Sequence, residues 1–103
     1  MTEDETDKQF REIADAFIDL ANSKKEQTHA ENIGMAMLYA VSRFNAYVVA
    51  MHADNLEKYE ADAPQAKAYF LQQYESMLEE NIADYKKIYQ PPLKYAHLMK
   101  EGE

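Results

Sequence analysis

GMAMLYAVSRFNAYVVAM, Gly34 to Met51, decides the fold. Outside its central hexapeptide SRFNAY (Ser42 to Tyr47), the run is apolar apart from one glycine and one tyrosine hydroxyl. A run of eighteen residues is long enough to raise the question of a membrane span. Arg43 near the centre, Asn45 beside it and amphipathic neighbours argue for a helix of a soluble protein, because a cation at mid-membrane is costly. The run is too long for a strand and is read as the middle of a long helix.

Arg43 and Asn45 do not share a face. At about 100° per residue they lie roughly 200° apart around a helix. Asn45 falls among Leu38, Val41, Val48 and Val49, so it is expected to be buried. A buried amide needs a partner, since each missing bond costs about 1–3 kcal/mol. The Tyr74 hydroxyl or a polar group of a second chain would supply one, and Asn45 would then fix the register of packed helices. Arg43 falls with Ala36, Tyr39, Ala46, Tyr47, Ala50 and Asp54. Its guanidinium is expected to stack on Tyr39 or Tyr47, with its stem laid over the alanines.

Working outward, Thr28 and Glu31 give T-x-x-E, a capping box that would start this helix near Thr28 and carry it to about Leu56. Upstream, Phe10, Ile13, Ala14, Phe17, Leu20 and Ala21 recur at spacings of three and four. They predict a first helix from Asp4 or Asp7 to Asn22, with Thr6 and Gln9, or Thr2 and Glu5, as its capping box. SKKEQ, Ser23 to Gln27, is the polar connector. Downstream, EKYEAD is expected to be a second connector. Asp62 would be the N-cap of a third helix and Pro64 would sit in its first turn. Phe70, Leu71, Tyr74, Met77, Leu78, Ile82, Tyr85, Ile88 and Tyr89 form its apolar face, with Asn81 at the centre of that face. Pro91 and Pro92 would stop it near Gln90. The tail LKYAHLMKEGE would add a short turn or helix, with residues 1–6 and 100–103 frayed.

The expected fold is therefore all-α, a single domain over residues 1–103. It is an up-down-up three-helix bundle with two long helices and a shorter first helix. Folding helix 1 back over SKKEQ would set Phe17 near Gly34 and Phe10 near Val41. Val48, Val49, Met51, His52 and Leu56 would then lie beyond its reach. A second copy of the chain is the economical cover for them, so a homo-oligomer, with a dimer favoured, is expected there. The Tyr39, Arg43 and Tyr47 face would be a second contact surface.

Composition narrows the function classes. The chain has 103 residues, 47% hydrophobic and 29% charged, with two glycines and three prolines, which suits a helical globular protein rather than a turn-rich β fold. Net charge is −8, and seven acids against two bases lie in Met1 to Asn22. That balance disfavours nucleic acid and anionic membranes as partners. There is no cysteine, which removes disulfides and thiolate chemistry and suits a reducing compartment. The N-terminal MTEDETDKQF has no signal-peptide pattern, so a cytoplasmic location is expected.

No catalytic constellation stands out. Glu26 and His29 give E-x-x-H, but across a connector and without a second pair. Glu80 and Asp84 share a helix face but lack a histidine at matching spacing. No metal, no cofactor and no enzymatic activity are expected. Two readings follow. The first is a non-enzymatic, homo-oligomeric protein-interaction module. The second is a ligand-binding protein with an interhelical or intersubunit pocket near Asn45, His52 and Tyr74, with Arg43 contributed by a neighbouring chain.

FIDLAN (Phe17 to Asn22), LYAVSRFNAYVVA (Leu38 to Ala50) and above all RFNA (Arg43 to Ala46) resemble a family of short helical bacterial proteins classed as a domain of unknown function. The resemblance covers Phe10 to Tyr89, with Ser42 standing where the pattern suggests an alanine. It implies a bacterial source and a compact helical fold, and it carries over no activity and no catalytic residue.

Overall fold

The computed structural model describes residues 3–89. The chain is all-α. Three helices hold 87% of the described residues, there is no strand among them, and the first helix is the shortest. They are α1, Glu3–Asn22; α2, Ala30–His52; and α3, Leu56–Ile88. The chain divides into two units, Met1–His52, which holds α1 and α2, and Ala53–Glu103, which holds α3. The tail expected to form a short turn or helix lies outside the described residues, as do Thr2, Gln90, Pro91 and Pro92.

α1 starts at Glu3, one residue before the earlier of the two expected starts, Asp4 and Asp7, so Thr6 is an interior residue and not a cap. Ser23 closes its C-terminal end. Its N–H donates to the carbonyls of Asp19 and Leu20, and its Oγ donates to Leu20 O at 2.6 Å. Single-turn bonds from Lys24 N to Ala21 O and from Gln27 N to Lys24 O carry the connector to α2.

α2 begins two residues later than the capping box implied. The carbonyl of His29 accepts from the N–H groups of Asn32 and Ile33, and Thr28 Oγ1 accepts from Asn32 Nδ2 at 2.8 Å. Thr28 is therefore engaged by a side chain four residues on, in place of the expected backbone N–H.

The boundary between α2 and α3 differs more. α2 ends at His52, four residues before Leu56, and EKYEAD is not a connector but the opening of α3. The N-cap is Asn55, with extended backbone (φ −158°, ψ 177°), whose Oδ1 accepts from Lys58 N at 2.8 Å. This satisfies one of the donors that every helix start leaves open. Asp62, the expected cap, lies inside the helix, where its Oδ1 accepts from Lys58 Nζ at 3.0 Å. Pro64 also lies inside α3 rather than in its first turn. Its missing N–H removes one bond from a helix of 33 residues. The surrounding Glu57, Lys58, Glu60, Ala61, Ala63, Gln65, Ala66, Lys67 and Ala68 are good helix formers and carry the helix across it. Lys86 and Lys87 occupy the last turn, where the dipole favours cations. The N–H of Tyr89, the C-cap, donates to the carbonyls of Tyr85 and Lys86.

Among the described residues none is buried. α1 and α2 touch only slightly. Phe10 and Phe17 remain close to two-thirds exposed, and a Cβ built on Gly34 would meet nothing within 4 Å. The close approach expected between Phe17 and Gly34 is therefore not made, Phe10 and Val41 both stay more than half exposed, and α2 leaves the apolar face of α1 largely open.

Candidate functional site

α2 sorts its residues by face. Ile33, Met37, Asn45, Val48 and Val49 are half-buried, while Tyr39, Arg43, Ala46, Tyr47 and Ala50 are exposed. The division of the central hexapeptide is thus real, with Asn45 on the more covered side and Arg43 on the open one. Asn45 is half-buried rather than buried, because nothing within its unit closes over that face. Among the described residues neither the Asn45 amide nor the Tyr74 hydroxyl has a side-chain hydrogen bond, and the two residues belong to different units.

Among the described residues Arg43 stacks on no tyrosine. Tyr47 instead leans toward Phe44 one turn back, with ring centroids 6.0 Å apart and planes tilted by 48°. An aromatic pair at i, i+3 removes apolar surface from water, which a solvated guanidinium on an exposed face does not need. Ser42 Oγ donates to Tyr39 O at 2.8 Å, so the serine hydroxyl of the hexapeptide is turned back onto its own helix.

His52 is the last residue of α2 and is exposed. Asn45 is seven residues earlier on the same helix, two turns away, and Tyr74 belongs to the other unit. Of the residues expected at an interface, Val48 and Val49 are half-buried, while Met51 and Leu56 are exposed along with Tyr39 and Tyr47. Among the described residues no three His, Asp or Glu side chains converge as a metal site. α2 is long and apolar enough to cross a membrane by length and composition alone.

The apolar face of α3 is a second candidate surface. On α3, Leu71, Tyr74, Leu78, Asn81, Tyr85 and Ile88 recur at spacings of three, four, three, four and three, the seam of a helix that packs lengthwise on another. All of them are exposed, and Met77 and Ile82 widen the stripe. The signal was the strict alternation of three and four. Asn81 Nδ2 donates to Met77 O at 2.9 Å, which leaves its Oδ1 and second amide hydrogen free. α1 repeats the pattern with Phe10, Ile13, Phe17 and Leu20.

These features define an all-α protein in which each unit leaves the apolar faces of its own helices largely open. The family described as "Protein of unknown function (DUF3144)" matches residues 10–86. The chain belongs to that family, and the matched segment contains the RFNA tetrad and the greater part of α3. No curated protein and no solved structure matches it.

Proposed function

We propose that this chain is a soluble, cytoplasmic, self-assembling helical protein, a homo-oligomer with a dimer favoured, that acts through protein contacts and not by catalysing a reaction. One observation supports this above the others. None of the described residues is buried, while 22 large apolar side chains are exposed. Ordering each residue costs about 1–2 kcal/mol of backbone entropy, and burial of apolar surface is the main term that offsets it. Isolated helices are marginal in water. Neither unit covers its own apolar faces, so each draws its stability from a surface outside itself.

The absence of cysteine suits a reducing compartment. A membrane is the less favoured cover for α2, because Arg43 at mid-span costs at least about 2.5 kcal/mol in hydrocarbon. The test is light scattering from micromolar to submicromolar concentration. A mass of twice 12.0 kDa or a higher multiple is expected. A folded monomer throughout that range removes the proposal, and quantitative sedimentation with zwitterionic vesicles gives α2 to lipid instead.

A further inference from the structure

Resting on that reading, we infer that the distal half of α3, Leu71 to Ile88, is a self-association seam that binds the same segment of a second copy in antiparallel orientation, about a two-fold axis between Glu79 and Glu80. The six seam residues are self-complementary about that point. Leu71 meets Ile88 of the second copy, Tyr74 meets Tyr85, and Leu78 meets Asn81. All six layers are filled, with none left over.

The area is sufficient. Leu71, Tyr74, Met77, Leu78, Ile82, Tyr85 and Ile88 are between 42% and 62% exposed. At about 200 Å² for a large side chain they offer roughly 700 Å² per copy, close to the ~800 Å² per partner of a stable interface. The flanking Met77 and Ile82 make the stripe broader than a two-helix seam needs, which leaves room for further helices to close over it.

Asn81 sets the register. Its amide keeps one acceptor and one hydrogen free of its own helix. Around the axis the two Asn81 side chains fall in adjacent layers, about 4.5 Å apart in level, and bond each other. A slip of one heptad in one direction sets them about 10 Å further apart and leaves each amide against apolar neighbours, unsatisfied; the opposite slip keeps them about 6 Å apart in level but carries Leu71 and Tyr74 past the Ile88 end of the second copy's seam.

Charge sets the direction. Antiparallel pairing brings Lys86 of one copy within about 3 Å in level of Glu75 of the other and opposes the helix dipoles. Parallel pairing would stack Lys86 and Lys87 on their own counterparts and align the dipoles.

The chain contains no cysteine, so two single substitutions in the full chain report the geometry. Leu71→Cys and Ile88→Cys proteins, mixed in equal amounts and oxidised, are expected to give the mixed disulfide as the main product. Neither should couple with itself, since the two copies of position 71 lie about 25 Å apart in level, far beyond disulfide reach. Asn81→Leu in both proteins should preserve association but lower the yield of the mixed disulfide several-fold. Self-coupling of Leu71→Cys overturns the inference in favour of a parallel seam. An oligomer that yields no α3 cross-link overturns it while leaving self-assembly intact. A monomer by light scattering removes both. Loss of the cross-link on adding zwitterionic vesicles that carry the chain down assigns the stripe to lipid and overturns it as well.

Discussion

Dilution is the sharpest perturbation of a chain none of whose described residues is buried. If helix formation is coupled to association, the melting temperature depends on concentration, because folding then consumes a second molecule. Unfolding entropy is about 2.1 cal/mol/K per residue near 60 °C, which for two chains of 103 residues is about 0.43 kcal/mol/K. A hundredfold change in concentration contributes RT ln 100, about 2.7 kcal/mol, to the dimer. The melting temperature should therefore fall by about 6 °C between 100 μM and 1 μM chain, followed by circular dichroism at the helix band. A larger assembly gives a larger shift, since each unfolding event releases more molecules. The three helices melt together with the interface, so one transition is expected at every concentration. A melting temperature that does not move across the hundredfold range would show that the chain stabilises itself alone, and would refute the inference from exposed faces to assembly.

Three further outcomes bear on named residues. Asn55→Ala removes the carbonyl that accepts from Lys58 N and should cost about 1 kcal/mol in denaturant unfolding, with Asn55→Ser recovering most of the loss. Pro64→Ala restores the N–H for the Glu60 carbonyl and should stabilise by about 2 kcal/mol, a proline inside a helix costing ~3 and returning up to ~1 through the unfolded chain; destabilisation would mean that a bend at this point is needed. Asn45→Leu, at a half-buried position with no side-chain partner among the described residues, should change the oligomer mass or its stability, and an unaltered oligomer of unaltered stability would remove any role for Asn45 in register.

The helices were legible because their apolar residues repeat at three and four, and that repeat is a property of the helix itself. Phe10, Ile13, Phe17 and Leu20 fix α1, and the Gly34–Met51 run fixes the body of α2. The junction was misread because Pro64 was given the weight of a helix start. One missing bond among 33 residues is a small loss when strong helix formers stand on both sides. The better signal lay at Asp54 and Asn55, followed by Glu57 in the first turn, where a short amide caps and an acid meets the positive helix end. The opposite phases of Arg43 and Asn45 were legible from arithmetic alone. Their partners were not, because a stacking or hydrogen-bonding partner depends on what lies over the face. Phe44, one turn from Tyr47, took the place given to Arg43.

Pro64 has one more effect. A residue without an amide hydrogen leaves the Glu60 carbonyl unclaimed by the turn above it, so cooperativity along α3 is weakest there. In native-state hydrogen exchange the helix should therefore behave as two segments with separate opening free energies. The short one, from Leu56, opens whenever its cap lets go. The long one, running on to Ile88, is protected to the extent that its apolar face is held. The slow-exchanging amides of this chain are then expected to lie C-terminal to the proline, which makes exchange a map of which face is covered in solution.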